Sequence, residues 1–293
     1  MLRKCPKNSN VVTLAWSDDT QCSINVHGCT VTSWRVKNWE QLFLSRHAKL
    51  NQRKEIMGGV SIAFPKYGGW KFGPPNGFAC ISKWKLIKGP VLDKDTQDIV
   101  AVFELVDNPH TRSFWNFQFK ITNTIRLSEY CLEIKSHIQN TSPVLPMRFN
   151  LMYPMFIKVP NVETIQIVGM NNVQYNDETI KEDDVLRTDR KKAIEITAWT
   201  YRIYKQAPST VDIFHVTSDC RMRVENSGLQ DFIVWNPWDD HGSQVDDFRP
   251  EQYKEMICIG MGNINEEMRL EPGEDDNFRI NLEIVKERRS RFY

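Results

Sequence analysis

Two stretches of this sequence combine glycine, proline and aromatic residues in a way that suits a binding groove. The first runs from residue 57 to residue 80 and contains two Gly-Gly pairs, and the second is Val-Trp-Asn-Pro-Trp at 234–238. Glycine lets the backbone approach a ligand closely, and flat aromatic rings provide a wall for a sugar ring. Each stretch taken singly is better explained by turns and bulges between strands. The two together predict a sugar-type groove.

Histidine and acidic residues are a second source of chemistry. Of the six histidines, His241 is the one close to a groove stretch, in the acidic loop between Asp239 and Asp247. A histidine in a solvated loop ordinarily has no catalytic role. The loop also lacks a second cluster of ligands at a spacing that would hold a metal ion. We therefore expect neither a metal site nor a cofactor.

Charge and cysteine content bear on the class of protein and its location. The 38 basic and 37 acidic residues leave a net charge of +1, which gives no overall field for nucleic acid or an anionic membrane. The seven cysteines form no CxxC pair and are typical of reduced thiols, and the polar start Met1 to Asn10 is unlike a secretory signal. We expect a cytoplasmic protein, with nuclear import through the basic, flexible segment 286–293 as the alternative.

The elements that must position these residues are predicted to be β-strands. Apolar and polar residues alternate at 22–34, 117–122 and 132–138, which is the period of a half-buried strand. Helical periodicity is nearly absent, so we expect an all-β antiparallel sandwich that forms a single domain over residues 1–293. Further strands are predicted at 11–16, 99–106, 164–168, 211–216, 220–225, 231–235, 256–259 and 278–285.

The glycine- and aromatic-rich stretches, together with further short motifs along the chain, resemble those of the hexose-6-phosphate 1-epimerases of the galactose mutarotase-like superfamily. Residues 56–65 are similar to the family's Ile-Arg-Gly-Gly-Ile-Pro segment, and residues 75–80 to its His-Gly-Phe-Ala-Arg box. The resemblance implies a galactose mutarotase-like antiparallel β-supersandwich that exchanges the α and β anomers of a sugar phosphate. Further matching segments follow in family order at 201–204, 234–238, 247–248, 253–258 and 270–274.

The implied chemistry needs two proton-transfer groups on opposite sides of the sugar C1. A carboxylate takes the proton from the C1 hydroxyl while an imidazolium protonates the ring oxygen, so that the ring opens and recloses on the other face. Each positioned group is worth roughly 10² to 10⁴ in rate. The resemblance puts Gly260 in the place of the base and Pro154 in the place of the acid, and neither residue can transfer a proton. A shift of one residue would put Tyr153 or Met155 in the place of the acid, and neither is a good acid near neutral pH.

The residues that would surround a sugar phosphate differ from the family in the same way. The resemblance puts Met57 and Cys80 where the family has arginine, Asn76 where it has histidine, Lys66 where it has glutamine and Tyr201 where it has aspartate. Because arginine is well suited to bind phosphate, a neutral sugar fits this groove better than a sugar phosphate. A sugar phosphate stays open as the alternative, since Lys66 and Lys71 could supply positive charge. The predicted groove residues are Met57, Phe64, Lys66, Asn76, Phe78, Cys80, Tyr201, Arg202, Trp235, Trp238 and Asp247.

Three functions remain open. The one we favour is a catalytically inactive homologue that serves as a binding or scaffold protein and engages an unidentified protein partner through the groove or a sheet surface. The second is an active 1-epimerase in which Asp247 works with Lys66 or Tyr201 as a substituted acid and base. The third is a non-catalytic carbohydrate-binding module that uses Trp235, Trp238 and Phe64.

Overall fold

Strands dominate the structure. The computed structural model describes residues 10–50, 54–180, 185–217, 219–242 and 245–287. The strands of these residues are β1 Val11–Ala15, β2 Gln21–Asn25, β3 Thr30–Val36, β4 Trp39–Glu40, β5 Lys85–Leu92, β6 Ile99–Val106, β7 Phe119–Leu127, β8 Cys131–Asn140, β9 Met147–Lys158, β10 Gln166–Val168, β11 Gln174–Asp177, β12 Arg187–Thr188, β13 Ala193–Ile194, β14 Thr200–Tyr204, β15 Thr210–Thr217, β16 Cys220–Ser227, β17 Asp231–Asn236, β18 Met256–Leu270 and β19 Asp275–Lys286. The helices are α1 Pro109–Phe114, α2 Trp238–Gly242 and three 3-10 turns at Ala79–Ile81, Val162–Thr164 and Pro250–Glu255.

The strands pair into three antiparallel sheets. A four-stranded sheet has the order β1-β2-β3-β4, and a nine-stranded sheet has the order β13-β10-β15-β16-β19-β8-β7-β6-β5. A six-stranded sheet has the order β12-β11-β14-β17-β18-β9. Residues 58–63 run beside β9 through isolated bridges, in which Val60 pairs with Met155 and Ala63 with Met152. This segment therefore extends the six-stranded sheet at its β9 edge.

The alternation that predicts β7 and β8 is also the burial pattern of these two strands. Ile121 faces Ile138 and Ile125 faces Ile134 across the pair, and all four side chains are buried. Successive side chains of a strand point to opposite faces, so the apolar set of each strand enters the core. There it joins inward side chains of the six-stranded sheet such as Met155. Full burial of such a side chain stabilises the fold by about 1.5–3 kcal/mol.

β9 is absent from the predicted strands because its sequence does not alternate and contains a proline, Pro154. Apart from Arg148 and Lys158, every residue of β9 is buried. A strand of this kind shows no alternation of apolar and polar residues in the sequence. Its odd-numbered side chains, such as Leu151 and Tyr153, join the main core, whereas Met152 belongs to a separate small cluster. β9 therefore has the main core on one side and a second surface on the other.

The basic C-terminal segment and one of the seven cysteines lie partly or wholly outside the described residues. β19 ends at Lys286, while residues 288–293 of the basic segment, residues 1–9 and hence Cys5 lie outside the described residues. The other cysteines are free, and Cys22, Cys29, Cys80 and Cys258 are buried. Within the described part of the chain, no helix is long and apolar enough to cross a membrane.

Candidate functional site

Several of the predicted groove residues lie on one face of the six-stranded sheet, opposite to the odd-numbered side chains of β9. Gly260 of β18 stands directly opposite Pro154 of β9, and on its other side it pairs with Ile233 of β17. Two residues along β17, Trp235 pairs with Tyr201 of β14. Paired residues of an antiparallel sheet project to the same face, and so do residues two apart. These five residues therefore share one surface.

At the position of Gly260 this surface is filled by apolar side chains. A Cβ atom built on Gly260 would lie 2.7 Å from Met152 Sδ and 3.5 Å from Ile233 Cβ. Met152 and Ile233 are buried and form a small cluster with Ala63. Even a single carbon atom at position 260 would therefore require Met152 to move. The surface is therefore an apolar layer here, and a side chain at position 260 would meet Met152 first.

A carboxylate enters the site from the loop that precedes the first Gly-Gly pair. Glu55 accepts a hydrogen bond of 2.9 Å from Ser61 Oγ at Oε1 and another of 2.9 Å from Asn76 Nδ2 at Oε2. Asn76 is itself held in place because its Oδ1 accepts from the backbone N–H of Gly68 at 2.9 Å. Burial raises the pKa of Glu55, and the two hydrogen bonds partly offset that effect. The sequence reasoning missed Glu55.

Two tyrosines lie close together in the same region. The hydroxyl oxygens of Tyr67 and Tyr201 are 3.3 Å apart, and both side chains pack against the Met152 cluster. Burial raises the pKa of both phenols, and for Tyr67 the neighbouring Tyr201 and the more distant Glu55 carboxylate add to the shift. Both tyrosines therefore stay neutral near pH 7 and offer hydroxyl groups to a ligand.

Two thiols lie beneath this surface and are chemically quiet. Cys80 is fully buried, and its Sγ donates to the carbonyl oxygen of Gly77 at 3.4 Å. Burial raises the pKa of both Cys80 and Cys258, and the carboxylate of Glu55 raises it further. Because the thiolate is the reactive form of cysteine, neither residue is a nucleophile at neutral pH.

The structure places Phe64 and Phe78 in the core, so the prediction that they line the groove needs correction. Both side chains are 0% exposed, and their rings meet edge to face with centroids 6.1 Å apart. Phe119 of β7 stacks on Phe78 at 5.6 Å, and Phe149 of β9 contacts Phe64 at 5.2 Å. These rings support the loop from beneath and do not reach a ligand.

Arg202 also lies away from the predicted groove. It follows Tyr201 directly in β14, so its side chain points to the opposite face of the sheet. There its Nη1 lies 3.3 Å from Asp189 Oδ2, and its guanidinium lies 4.9 Å from the centre of the Tyr175 ring. The cation of Arg202 is therefore engaged outside the groove.

The proposed acid and base pair of Asp247 with Lys66 has other partners in the structure. The carboxylate of Asp247 lies 3.3 Å from Lys49 Nζ, and its backbone oxygen accepts from Ser45 Oγ. Lys66 Nζ lies 3.4 Å from a carboxylate oxygen of Glu267. Each candidate is thus held by a residue of opposite charge.

The remaining candidates contact neighbouring aromatic side chains. Trp235 packs edge to face on Phe156 with ring centroids 6.2 Å apart, and Trp238 lies 5.0 Å from Tyr253. Met57 is half-buried against the main core. The described residues contain no group of three or more His, Cys, Asp or Glu side chains that would hold a metal ion.

His241, the loop histidine, stacks on an indole. Its ring lies nearly parallel to that of Trp199, with centroids 3.6 Å apart. This stacking fixes the imidazole against the side chain of Trp199. The contact gives His241 a packing role at the start of the acidic loop.

The arrangement of the sheets defines the class of protein. The crystal structure of a "putative mutarotase" from Salmonella typhimurium matches with a TM-score of 0.82 at 18% identity, over 94% of this chain and 91% of that chain. The galactose 1-epimerase from Lactobacillus acidophilus matches with a TM-score of 0.73 at 12% identity, over 98% of both chains. The fold is that of the galactose mutarotase-like β-supersandwich proteins, as the sequence motifs predict.

Sequence comparison gives the family. A sequence profile described as aldose 1-epimerase matches residues 10–283, and the chain belongs to this family. Two curated relatives both carry the name "Putative glucose-6-phosphate 1-epimerase". The relative from Cenchrus ciliaris is 28% identical over 289 residues, which are 97% of this chain and 87% of the relative. The relative from Escherichia coli K12 is 21% identical over 274 residues, which are 91% of this chain and 87% of the relative.

The raised pKa of Glu55 predicts a pH-dependent loss of stability. The folded protein binds this proton more tightly than the unfolded chain, so ionisation of Glu55 destabilises the fold as the pH rises from the ordinary value of 4.5 through the raised value. In urea titrations at a series of pH values, the free energy of unfolding of the wild type is expected to fall relative to Glu55→Gln across this window and to level off above it.

A second variant tests the cause of that shift. Ser61→Ala removes one of the two hydrogen bonds that lower the pKa of Glu55, so the window is expected to extend to higher pH. The interpretation is overturned if the stability of the wild type relative to Glu55→Gln rises across the same window, because the carboxylate would then be stabilised by folding.

Proposed function

We propose that this member of the aldose 1-epimerase family does not catalyse anomer exchange at the family's acid and base positions and acts as a binding protein. The observation that carries the proposal is the pair formed by Gly260 and Pro154, which share the groove face. Neither residue has a proton to exchange, and Met152 occupies the space next to Gly260. Without two positioned proton-transfer groups, the groove loses roughly 10² to 10⁴ in rate for each of them.

Within the described residues, the groove also lacks the arginine side chains that would bind the phosphate of a hexose phosphate. Met57 and Cys80 stand where the family resemblance puts arginine, and Cys80 is fully buried. Arg202 is engaged by Asp189 on the other face of the sheet. An anionic ligand would instead meet the Glu55 carboxylate. These features support the proposal that the groove no longer takes a sugar phosphate.

The proposal is tested by measuring anomer exchange directly. Two-dimensional exchange NMR of glucose 6-phosphate and of glucose, with and without protein, should give the same exchange rate constant as buffer alone. An active aldose 1-epimerase serves as the positive control. Acceleration that disappears when the protein is denatured would overturn the proposal.

A second candidate function is favoured by one observation, the Glu55 carboxyl. A carboxyl group with a raised pKa is a suitable proton-transfer group near neutral pH, and the hydroxyls of Tyr67 and Tyr201 lie in the same region. An active 1-epimerase with relocated groups would lose its activity in Glu55→Gln. The same exchange experiment on this variant therefore separates the second candidate from contaminating enzyme, whose activity would persist.

We also propose that the protein is cytoplasmic and that it binds a protein partner. The absence of paired thiols among the described cysteines supports a reducing compartment. If a partner uses the groove, it would contact the half-buried side chains of Trp235 and Tyr201. A pull-down with wild type and with Trp235→Ala, followed by mass spectrometry, would show loss of such a partner in the variant only.

A further inference from the structure

We propose that the groove binds a small ligand that carries an ammonium group, with the ammonium against Glu55 and the body of the ligand against Tyr67, Tyr201 and Trp235. The chemical class that fits best is an amino sugar in its cationic form. This inference rests on the proposed function, because it names the ligand of the same groove. It departs from the sugar phosphates named for the two curated relatives.

The first argument is the position of the carboxylate. Asn76 bonds Glu55 through Nδ2 and the backbone of Gly68 through Oδ1, which ties the carboxylate to the turn that follows Tyr67. The hydroxyl of Tyr67 lies 3.3 Å from that of Tyr201, and Tyr201 pairs with Trp235 across β14 and β17. The carboxylate and the aromatic side chains therefore belong to one site.

The second argument is that Glu55 has acceptor capacity but no cation. An ionised carboxylate has about four lone-pair sites, and Ser61 and Asn76 use two of them. Both donors are neutral. Among the residues that the structure describes, Glu55 has no ion pair with Lys, Arg or His, whereas the neighbouring Lys54 is bound to Asp246 at 2.7 Å. A ligand ammonium would supply the missing charge through a charge-assisted hydrogen bond.

The third argument is the nature of the walls. Tyr67, Tyr201 and Trp235 are half-buried, and all three pack against the Met152 cluster. The faces of aromatic rings attract cations, and this attraction grows when the cation is removed from water. Trp235 is fixed by its contact with Phe156 and Tyr201 by its contact with Tyr67, so the walls are already in place. A carboxylate with aromatic walls favours a cation over an anion.

The binding test uses three hexoses that share one ring and differ in charge. Calorimetric titrations with glucosamine, N-acetylglucosamine and glucose 6-phosphate are run at a pH where the amine is protonated. Wild type is expected to bind glucosamine at least about tenfold more tightly than either other sugar, since a charge-assisted hydrogen bond is about twice as strong as a neutral one. Tighter binding of glucose 6-phosphate, equal binding of N-acetylglucosamine, or no binding of glucosamine overturns the proposal.

Variants assign the preference to the carboxylate. Glu55→Gln is expected to remove the preference for glucosamine and to leave the affinity for N-acetylglucosamine within about threefold. The matched control is Glu178→Gln, because the exposed Glu178 lies near Tyr201 and its backbone N–H donates to the carbonyl of Tyr201 at 2.8 Å. This control should keep the preference. A preference that survives in Glu55→Gln contradicts the assignment.

A measurement on the wild type alone covers the case in which Glu55→Gln does not fold. Glucosamine binding should release a proton from Glu55 at a pH between 4.5 and the raised pKa of this residue, because the ammonium favours the ionised carboxylate. Tyr67, Cys80 and Cys258 keep their protons there, since burial raises the pKa of each. Titration in two buffers of different ionisation enthalpy measures the release, and its absence overturns the proposal.

The outcomes also separate this inference from the proposed function. Anomer exchange at the buffer rate together with no glucosamine binding leaves the proposed function intact and removes only the ligand assignment. Accelerated exchange that is lost in Glu55→Gln removes the proposed function, whatever the groove binds.

Discussion

Gly260→Glu, which introduces the carboxylate that the family resemblance assigns to this position, is expected to lower the free energy of unfolding by about 3 kcal/mol or more. The new Cβ would lie 2.7 Å from Met152 Sδ and 3.5 Å from Ile233 Cβ, in a cluster that is already buried. Forcing additional atoms into such a cluster costs about 1–3 kcal/mol. Burial of a carboxylate without a partner adds to that cost. Urea titration of the two proteins measures the difference.

A double-mutant cycle identifies the side chain that is responsible. Met152→Ala alone is expected to cost about 2–5 kcal/mol because it leaves a cavity. In the double variant the glutamate side chain can occupy that cavity. The loss of unfolding free energy in the double variant should therefore be smaller than the sum of the two single losses by about 1 kcal/mol or more, which is the size of coupling seen for residues in contact. Gly260→Ala is the control, and its loss should be smaller than that of Gly260→Glu. Additive losses would show that Met152 does not fill the site.

The same variants are expected to show anomer exchange far below that of an active aldose 1-epimerase. A carboxylate at position 260 faces Pro154, which cannot protonate the ring oxygen. Without that acid, the roughly 10² to 10⁴ in rate that a second positioned group contributes is missing. More than these two positions would have to change, because a side chain at position 260 also requires Met152 to move.

The sequence was sufficient for strands in which polar and apolar residues alternate, such as β7 and β8, and insufficient for β9, an apolar run that contains Pro154. Alternation predicted β7 and β8 because their outer side chains are polar. β9 is buried on both faces, and its apolar run carries no periodic signal. β9 is the strand that brings Pro154 opposite Gly260 of β18. The pairing of these two positions, on which the proposed function depends, was therefore visible only in the structure.

The groove was predicted by motif order, and motif order does not say which face of a strand a residue uses. Tyr201 and Arg202 belong to one motif, yet as neighbours in β14 they point to opposite sides of the sheet. Strict application of the two-residue period to β14 would have separated them. Phe64 was assigned to the groove because it is aromatic, although full burial is the more common place for phenylalanine.

Glu55 was missed because its role depends on contacts that are distant in sequence. Its two hydrogen-bond donors are Ser61 and Asn76, and Asn76 is 21 residues away in a separate turn. A single glutamate in a polar loop is ordinarily solvated. Glu55 becomes part of the site only in the folded chain, where residues 58–77 bring Ser61 and Asn76 against its carboxylate.

Gly77→Ala is expected to destabilise the protein by more than about 4 kcal/mol, which is at the upper end for single substitutions. Gly77 has a φ of +74° and pairs with Phe64. A Cβ atom here would lie 2.1 Å from the carbonyl oxygen of Phe64 and 2.8 Å from the nitrogen of Pro65. Both are backbone atoms, so no side-chain rotation relieves the collision. Thermal and urea unfolding measure the loss.

Two other glycines of the same loop separate collision from backbone strain. Gly68 has the same φ of +74° but nothing within 4 Å of a Cβ, so Gly68→Ala should cost only the about 1–2 kcal/mol of a left-handed residue. Gly69 has neither feature, and Gly69→Ala should stay within about 0.5 kcal/mol. If Gly77→Ala costs no more than Gly68→Ala, the loop moves to accept the new atom. Because Asn76 precedes Gly77 and donates a hydrogen bond to Glu55, such a movement would also weaken glucosamine binding. A loop that cannot move would instead keep the collision between the new Cβ atom and the backbone of Phe64, and the full loss of stability would be measured.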